Sequence, residues 1–448
     1  MSLFGTDGVR GLAGEGPLSA DGALRLAACF LEALGDVERV AIARDTRRSG
    51  DLLAAAVTAG LTSAGAEVFD LGVLPTPALS WFLAHRPEIG GGIMITASHN
   101  AWHDNGLKFF GAGGTKIADS VQDATAAAWR DGRGHHEGAP GARWDVGAEA
   151  ERGYLASLLA DVEGDDGSLP LDGWTIVADT ASGAACAVLP EALEAAGATV
   201  ISIAPEPDGV NINDGLGAVH PEVMAAAVVE HGAHAGVAVD GDGDRIMLAD
   251  EAGTVHDGDA ILGFLAAQMQ ADGSLQGDVV VGTKTSNSGL GQYLSGLGLE
   301  LARSDVGDRH VAALMKARGG NLGGETSGHV LTPDLCPSGD ATRVALDVLR
   351  RAAATGEPLS ALLGAVPRYP VARASVRVGA RPPIAELPAL VALMAEADTA
   401  LAPVGGRTLL RYSGTEPVLR VQVEAPDAAT ADGWRDRLAA CVQECIPT

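Results

Sequence analysis

The chain has 448 residues, more than one hydrophobic core normally serves, so its length predicts several domains of roughly 100 to 150 residues each. Its net charge of -27 argues against nucleic acid or an anionic membrane surface as a partner, because either would be repelled over much of the protein. Hydrophobic residues make up 47% of the chain, but they occur in short alanine-rich runs, none near the roughly 20 residues of a membrane span. A soluble protein with a small anionic ligand fits this composition, provided that cationic residues line the binding site.

The N-terminal sequence and the cysteines indicate a reducing compartment. The first residues, MSLFGTDGVRG, lack the basic and apolar regions of a secretory signal, so the cytoplasm is the expected location. The five cysteines are scattered without CxxC spacing, which predicts neither a disulfide framework nor a thiolate zinc site.

One pattern occurs three times along the chain: an apolar strand, a polar turn, a helix-compatible run, glycine and a second strand. Such a unit needs its helix to pack on a parallel sheet, so the pattern predicts an α/β protein with three βαβ-type domains and mixed, mostly parallel sheets. The three copies begin with VAIARDTRRSG at Val40, WTIVADTASGAA at Trp174 and DVVVGTKTSNSG at Asp278.

Two further segments lie outside these units. After Pro370 the sequence alternates between strand-like and helix-like runs, which predicts a C-terminal α+β domain. Residues 131–150, DGRGHHEGAPGARWDVGAEA, are rich in glycine and low in apolar periodicity, which is typical of a linker or long loop. We interpret the adjacent His135 and His136 in this segment as solvated residues rather than metal ligands.

The stretch ITASHNAWHDNGLKFF, residues 95–110, concentrates polar side chains directly after an apolar strand. Ser98 follows that strand, so its hydroxyl is expected at the carboxyl end of a parallel sheet, the usual ligand position. The local sequence TASHN differs from the GxSxG of a nucleophile elbow, which disfavours a Ser-His-Asp hydrolase. A phosphorylated Ser98 would offer anionic oxygens to a metal ion, and Lys108, one of only four lysines, could act there as an acid, a base or a cation.

Three aspartates alternate with glycines in VAVDGDGDRIMLAD, residues 237–250. In an extended loop, Asp240, Asp242 and Asp244 can face the same side. Three hard oxygen donors this close repel one another unless a cation lies between them, which indicates a site for Mg²⁺ or Ca²⁺. A glycine-rich acidic turn without a metal is the alternative.

A further loop has the composition of a phosphate site. In RYSGTEPVLR, residues 411–420, the turn at Gly414 can offer backbone N–H groups, and hydroxyls and two guanidinium groups flank it. A plain β-turn with flanking arginines is equally compatible with this segment.

The loop GGNLGGETSGHV, residues 319–330, is rich in glycine and hydrogen-bonding side chains. Glu325, Ser327 and His329 could bond a polyhydroxylated ligand, because a carboxylate accepts hydrogen bonds from neighbouring hydroxyls. Without other motifs, a solvated turn would be the better interpretation.

Taken together, TASHN with DNGLKFF, DGDGDR, GETSGH and RYSGTEP resemble, in this order, the motifs of the α-D-phosphohexomutases. These are four-domain enzymes that move phosphate between the 6- and 1-positions of a hexose, and FGTDGVRG at residues 4–11 looks most like their phosphoglucosamine mutase branch. The resemblance implies an isomerase of amino-sugar metabolism, supplying cell-wall precursors, that interconverts glucosamine 6-phosphate and glucosamine 1-phosphate. Mg²⁺ would be the cofactor and a sugar 1,6-bisphosphate the intermediate and activator. Four domains around a central cleft are expected, at residues 1–150, 151–252, 253–367 and 368–448.

The resemblance also implies a role for each matching residue. Ser98 would carry the phosphate and, through it, bind Mg²⁺ together with Asp240, Asp242 and Asp244. The groups around the transferring phosphoryl group would be Arg10, His99, Lys108 and Arg245. The sugar hydroxyls would contact Glu325 and Ser327. The non-reacting phosphate would be held by Arg411, Ser413, Gly414, Thr415 and Arg420.

Some positions depart from the family pattern and keep other functions open. Ala101 lies where the family often has proline, and Thr326 lies where the phosphoglucosamine branch commonly has glutamine. A phosphomannomutase or phosphoglucomutase is therefore the alternative within the same chemistry. A phosphatase using the same phosphoserine and a non-catalytic sugar-phosphate sensor are alternatives of other classes, and both a monomer and a homodimer are compatible with the sequence.

Overall fold

The computed structural model describes residues 3–5, 7–135, 138–160, 162, 167–204, 206–413 and 417–447. Its packing divides the chain into two compact units, each formed by two segments. The first unit contains Met1–Lys284 and Ala302–Gly364, and the second contains Thr285–Leu301 and Ala365–Thr448. The four predicted domain boundaries stay a prediction. Single 3₁₀ turns lie at Gly16–Leu18, Ala112–Gly114, Gly217–Val219, Ile384–Glu386 and Ala402–Val404.

The first sheet has six strands with helices packed against it. Its elements are β1 (Val9–Leu12), α1 (Ala20–Leu34), β2 (Arg39–Arg44), α2 (Gly50–Ser63), β3 (Glu67–Val73), α3 (Thr76–Ala84), β4 (Gly91–Ile95), β5 (Asp104–Gly111), α4 (Asp119–Arg130), β6 (Arg143–Asp145) and α5 (Gly147–Leu158). The strand order is β1-β5-β4-β2-β3-β6; β4, β2, β3 and β6 are parallel, and β5 is antiparallel to both β4 and β1. Side chains of α1, such as Leu26 and Phe30, share one buried core with Val40 and Ile42 of β2.

The second sheet repeats this arrangement with five strands. Its elements are β7 (Thr175–Asp179), α6 (Val188–Ala195), β8 (Thr199–Ile203), α7 (Pro221–His231), β9 (Ala235–Val239), β10 (Ile246–Ala249) and β11 (Val255–His256). In the order β11-β10-β9-β7-β8, strand β7 is parallel to both of its neighbours, and β10 turns back antiparallel to β9. The aspartate-rich loop is the connection between β9 and β10. It therefore begins at the end of a fully buried strand.

The third sheet is smaller and has four strands. Its elements, with the helices of the same region, are α8 (Gly258–Asp272), β12 (Val279–Thr283), α9 (Ser288–Gly296), β13 (Glu300–Ser304), α10 (Asp308–Arg318), β14 (Gly323–Gly324), β15 (Val330–Leu331), α11 (Ala341–Thr355) and α12 (Leu359–Gly364). The order is β13-β12-β14-β15, with β12 parallel to β14 and β14 antiparallel to β15. The loop GETSGH connects β14 to β15, so the pairing of these two short strands fixes both ends of the loop.

The C-terminal region folds as an antiparallel sheet with two helices. Its elements are β16 (Val371–Arg377), α13 (Pro388–Leu401), β17 (Arg407–Tyr412), β18 (Val418–Glu424) and α14 (Ala428–Cys445). The central strand β18 pairs with β16 and β17, and alternate residues such as Leu419, Val421 and Val423 enter a core shared with the helices. In the same unit, the Glu424 carboxylate accepts hydrogen bonds from the backbone N and the hydroxyl of Ser288, both at 2.8 Å, which fixes the start of α9 to this sheet.

The structure confirms the predicted α/β class with mixed, mostly parallel sheets and a C-terminal α+β part. The three repeats correspond to β2-α2-β3, β7-α6-β8 and β12-α9-β13. The interpretation of residues 131–150 as a linker was wrong at its end, because 143–145 form β6 and α5 begins at Gly147. His136, also in that segment, lies outside the described residues. Among the helices that the structure describes, none combines the length and the apolar character needed to cross a membrane.

Candidate active site

Ser98 lies at the carboxyl end of the central strand β4, as the sequence predicts. Its backbone has a φ of 53°, in the left-handed region, and its side chain is buried. The hydroxyl donates to Asp240 Oδ2 at 2.6 Å and lies 3.3 Å from Nδ1 of His99. Because β4 and β9 both end at this edge of their sheets, two residues 142 positions apart come into direct contact.

Asp240, Asp242 and Asp244 form a buried triad in which one oxygen of each carboxylate lies within 4.8 Å of the others. Asp240 Oδ1 accepts from the backbone N of Asp244 and of Arg245, both at 3.2 Å, so the loop wraps around this carboxylate. Burial, together with the charges of Asp242 and Asp244, raises the pKa of Asp240 to about 7. The triad is thus a concentration of negative charge that needs a cationic partner.

Lys108, on β5, supplies part of that positive charge. Its Nζ lies 2.7 Å from Asp242 Oδ2, 2.8 Å from Asp244 Oδ2 and 3.0 Å from Asp7 Oδ2. Burial alone would lower the pKa of the Lys108 ammonium, but the three carboxylates outweigh it and hold that pKa well above its usual value. Lys108 is therefore a fixed cation within the site.

The donor set of the triad also fits a hard divalent cation. It consists of carboxylate oxygens with the Ser98 hydroxyl beside them, the oxygen ligands that Mg²⁺ prefers. Asp242 Oδ1 is buried and accepts no hydrogen bond from any described residue, although Asp242 Oδ2 is bonded by Lys108 and by the Thr76 hydroxyl at 2.5 Å. A buried carboxylate oxygen left without a donor is stabilised by a metal ion.

A ring of alternating charges joins the triad to neighbouring loops. His329 lies between Asp244 Oδ1, at 3.5 Å from its Nδ1, and Asp308 Oδ2, at 3.8 Å from its Nε2. Lys116 pairs with Asp308 at 3.3 Å and with Asp7, which in turn contacts Lys108. Burial disfavours the charged imidazole, but Asp244 and Asp308 raise the pKa of His329 to about 9. The ring holds loops from distant parts of the first unit together around the triad.

The predicted sugar loop borders a cavity of about 140 Å³ next to this ring. Glu325 and Arg245 line it, together with His329. Glu325 Oε1 accepts from the backbone N of Gly307 at 2.8 Å, and the Ser327 hydroxyl donates to Glu325 Oε2 at 3.3 Å. The carboxylate is therefore oriented by its own loop and by the backbone of Gly307, and it lines a space large enough for part of a small polar ligand.

Two further predicted residues lie on the same side of the first unit. Arg10, on β1, extends toward Asp7, with its Nη2 at 3.9 Å from Asp7 Oδ2. His99, next to Ser98, is half-buried; burial, followed by the charges of Arg245 and Arg10, lowers its pKa to about 4. The structure therefore brings Arg10, His99, Lys108 and Arg245 together around Ser98 and the triad.

The predicted distal-phosphate residues belong to the second unit. Arg411 and Arg420 are directly opposite each other on β17 and β18, and Nη2 of Arg420 lies 3.5 Å from the hydroxyl of Ser413. Gly414 and Thr415, which follow Ser413 in the sequence, lie outside the described residues. Two guanidinium groups and a hydroxyl thus converge at one end of this hairpin.

Several site residues were not found from the sequence. Asp7 and Lys116 lie in or near quoted segments, but nothing local indicates that they contact each other across 109 residues. Thr76 and Asp308 also lie in no motif of their own, and for His329 the sequence indicates only a contact with a ligand. The rarity of lysine in this chain was the one signal that could have drawn attention to Lys116.

Models of the phosphoglucomutase/phosphomannomutase family match the chain in four places. They are the alpha/beta/alpha domain I at residues 1–132, domain II at 152–253, domain III at 257–369 and the C-terminal domain at 374–440. Fold and site define an α/β enzyme with a serine and three aspartates at the carboxyl ends of its strands. The chain belongs to the phosphoglucomutase/phosphomannomutase family.

Individual relatives and solved structures agree with this family. The chain is 45% identical to a phosphoglucosamine mutase of Rhodococcus erythropolis, over 98% of this chain and 99% of the relative, and 44% identical to one of Kineococcus radiotolerans, over 99% and 98%. A phosphoglucomutase/phosphomannomutase family protein of Burkholderia thailandensis has the same fold, with a TM-score of 0.82, 24% identity and coverage of 99% of this chain and 97% of that one. The Aspergillus fumigatus N-acetylphosphoglucosamine mutase, solved with GlcNAc-6P and magnesium, has a TM-score of 0.61 and 20% identity over 91% and 83%.

Proposed function

We propose that the protein interconverts glucosamine 6-phosphate and glucosamine 1-phosphate, the phosphoglucosamine mutase reaction. The observation that carries this proposal is the contact of the buried Ser98 hydroxyl with the acidic triad, 2.6 Å from Asp240, while Lys108 bonds the two other carboxylates of the triad. The choice of glucosamine phosphate is supported by relatives of that name that are 42 to 45% identical over nearly the full chain.

The reaction consists of two phosphoryl transfers. Phosphorylated Ser98 gives its phosphoryl group to the free hydroxyl of glucosamine 6-phosphate; the phosphorus–serine oxygen bond breaks, and the hydroxyl loses its proton. The product, glucosamine 1,6-bisphosphate, reorients so that its 6-phosphate faces Ser98. That phosphoryl group returns to the serine oxygen, and the 6-hydroxyl regains a proton, which releases glucosamine 1-phosphate. Positioning and charge stabilisation supply the catalysis.

The residues around Ser98 divide the remaining tasks. Nδ1 of His99 lies 3.3 Å from the serine oxygen, so His99 is placed to exchange a proton there. The ammonium of Lys108 lies within 3.0 Å of three carboxylates, so Lys108 acts as a fixed cation rather than as a base. Arg10 and Arg245 would bond the equatorial oxygens of the transferring group, because guanidinium groups match phosphate geometry.

We infer that Asp240, Asp242, Asp244 and the oxygens of phosphorylated Ser98 hold Mg²⁺. When bound, the ion neutralises charge that develops on the transferring phosphoryl group. The unbonded Asp242 Oδ1 and the elevated pKa of Asp240 support a cation at this position. A catalytic amount of sugar 1,6-bisphosphate would serve as activator, because it can phosphorylate Ser98 whenever the enzyme has lost its phosphate.

The remaining predicted residues bind the rest of the substrate. Glu325 and Ser327 would accept and donate hydrogen bonds to the sugar hydroxyls, since Glu325 lines the cavity beside the triad and the Ser327 hydroxyl bonds Glu325. The non-reacting phosphate would be held by Arg411, Ser413, Gly414, Thr415 and Arg420. We also propose the four-domain division at residues 1–150, 151–252, 253–367 and 368–448, which the positions of the four family matches support.

A substrate panel followed by phosphorus NMR tests the proposal. With glucosamine 6-phosphate, Mg²⁺ and a trace of bisphosphate, we expect glucosamine 1-phosphate to accumulate to equilibrium without release of inorganic phosphate. Intact-mass measurement should show one added phosphate on the native protein after incubation with the bisphosphate. In Ser98→Ala, both this mass increase and turnover should be absent. Preference for mannose or glucose phosphate would replace the amino-sugar assignment. Continuous phosphate release would indicate a phosphatase, and binding without turnover a sensor.

A further inference from the structure

The loop that carries Ser98 is wrapped around a guanidinium group. Nη2 of Arg47 donates to the carbonyl oxygens of Ser98 at 2.9 Å and Asn100 at 2.8 Å. Nη1 of the same side chain donates to the carbonyl oxygens of Ala101 and Asp104, the latter at 3.0 Å. Four carbonyl groups within seven residues therefore converge on one cation, which no ordinary turn requires.

Arg47 is itself fixed in place by buried partners. It follows the strand β2 in the segment RDTRRSG, and its side chain has no exposed surface. Its Nε donates to Asp45 Oδ2 at 2.9 Å, and the same oxygen accepts from the Thr96 hydroxyl at 2.6 Å. The Thr96 hydroxyl then accepts from the backbone N of Ser98 at 2.9 Å. Both the N–H and the C=O of Ser98 are thus tied to the end of β2.

A second side chain reaches the same carbonyl oxygens from the loop that follows β8. Nδ2 of Asn213 donates to Ser98 O at 2.8 Å and to Asn100 O at 3.0 Å. A Cβ added at Gly241, in the aspartate loop, would lie 2.7 Å from both this Nδ2 and Ser98 O, so the serine loop and the triad are in close contact here. Asn213 therefore links the position of Ser98 to the segment that carries Asp240.

We propose that Arg47 and Asn213, the two loop anchors, are positioning residues for the phosphoryl transfer. They hold Ser98 in its left-handed backbone conformation by bonding its carbonyl oxygen and that of Asn100. Without them, Ser98 would relax to an ordinary backbone conformation, and its oxygen would leave the 2.6 Å contact with Asp240. The inference rests on the proposed function of Ser98 as the phosphate carrier.

Neither anchor is placed to contact the reacting atoms, so its loss should affect the chemical step more than substrate binding. A displacement of about 1 Å at a reacting group costs on the order of 100-fold in rate. We expect kcat of Asn213→Ala to fall by about 100-fold while KM for glucosamine 6-phosphate stays within about twofold. For Arg47→Lys we expect kcat to fall by at least about tenfold, because one ammonium group cannot bond the four carbonyl groups that the guanidinium group reaches.

The test compares these variants with Asn211→Ala on the full-length protein. Asn211 lies two residues from Asn213, and its Nδ2 also donates to a backbone carbonyl, that of Glu206, away from the serine loop. Measurements are kcat and KM with glucosamine 6-phosphate and Mg²⁺, the melting temperature, and the rate at which Ser98 gains one phosphate from glucosamine 1,6-bisphosphate by intact mass. For Asn213→Ala we expect the phosphorylation rate to fall by the same factor as kcat, and for Asn211→Ala both rates to equal those of the native protein.

The possible results separate this inference from the function on which it rests. If the native protein turns over but Asn213→Ala keeps kcat and the phosphorylation rate within about threefold, the anchors have no positioning role. The same conclusion follows if Asn211→Ala loses as much rate as Asn213→Ala. If Arg47→Lys does not fold, the kcat and the phosphorylation rate of Asn213→Ala alone decide whether the anchors have a positioning role. A native protein that neither turns over nor accepts phosphate on Ser98 would overturn the proposed function itself.

Discussion

Lys108 is a buried ammonium among three carboxylates, and its charge bears on the stability of the site. It neutralises oxygens of Asp242 and Asp244 that would otherwise repel each other, and it has almost no exposed surface. Charges of this kind are tolerated in an interior only when paired. Removing the ammonium therefore leaves two carboxylates that need another cation.

Lys108→Met should lower the free energy of unfolding by about 3 kcal/mol in EDTA, because it breaks a buried ion pair. We expect Mg²⁺ to raise the melting temperature more for this variant than for the native protein, since the ion takes over the neutralising charge. Differential scanning fluorimetry with and without Mg²⁺ measures both effects. Lys284→Met is the matched control, because the Lys284 side chain is exposed and its ammonium pairs with the exposed Asp305 at 2.5 Å. Equal Mg²⁺ shifts in all three proteins would contradict this account.

At this scale, the sequence was informative where residue type and spacing carry chemistry. Ser98 after an apolar strand and three aspartates at a spacing of two residues predict their own positions, and the structure brings both together. The partners of Lys108 could not be predicted in the same way. Its contacts with Asp242 and Asp244 span more than 130 residues, and they depend on how two sheets pack, which no local pattern encodes.

Among the elements, α5 shows why low apolar periodicity misled the prediction. Its buried residues are Ala150, Tyr154, Leu155 and Leu158, a helical spacing, but glycines and charged residues precede them. The helix is fixed by a long-range contact, because the Tyr154 hydroxyl donates to Asp340 Oδ2 at 2.8 Å. Asp340 is the N-cap of α11, so this bond joins two helices that are distant in sequence.

Tyr154→Phe should destabilise the first unit by about 2 kcal/mol. The change removes a donor from a buried carboxylate while leaving its capping bond to Arg343 N intact. Urea unfolding followed by circular dichroism measures the loss. Ser157→Ala, on the same helix, removes only a bond to the carbonyl of Tyr154 and should change stability by less than about 0.5 kcal/mol. A loss as large for Ser157→Ala would argue against the specific role of the Tyr154 bond.

In the second unit, one carboxylate connects a helix to a sheet. Glu424, on β18, bonds Ser288 at the start of α9 and receives Nε and Nη2 of Arg407 at 3.1 and 2.9 Å. Burial raises the pKa of Glu424, but the hydrogen bond and charge of Arg407 outweigh it, so the pKa lies below its usual value. The ionised form is therefore the one that stabilises this unit.

Glu424→Gln should lower the free energy of unfolding by about 3 kcal/mol at pH 7, because Arg407 loses its counter-charge. A lowered folded pKa gives stability that is complete above the unfolded pKa, about 4.3, and is lost as the pH falls through the folded value. The difference between native and variant proteins should thus shrink below about pH 4. Urea titrations monitored by tryptophan fluorescence at pH 7 and pH 3.5 measure it. Glu396→Gln, an exposed partner of Arg437, is the control, and a difference independent of pH would refute the assignment.

For the molecule as a whole, acidity and catalytic chemistry are compatible because cations are concentrated locally. The net charge is -27, yet Arg10, Lys108 and Arg245 are gathered near Ser98. The fold class was predictable from three repeated strand–helix–strand patterns. The division into two compact units was not, because residues 285–301 leave one repeat to join a sheet formed after residue 364.

Every predicted metal ligand lies in the first unit, so Mg²⁺ should stabilise that unit selectively. We expect two transitions in scanning calorimetry, of which only the larger moves upward when EDTA is replaced by Mg²⁺. Asp242→Asn should abolish the shift without affecting the smaller transition. A single transition that moves as a whole would show that the two units unfold together.

The bond between Ser288 and Glu424 has a consequence for how the chain is made. During translation, α9 is synthesised more than 120 residues before β18, the strand whose Glu424 bonds the first turn of this helix. During that interval the helix has emerged, but the strand that bonds its first turn has not been synthesised. Until the last sheet is complete, Thr285–Leu301 therefore lacks the unit into which it finally packs, and it is a segment open to misassociation.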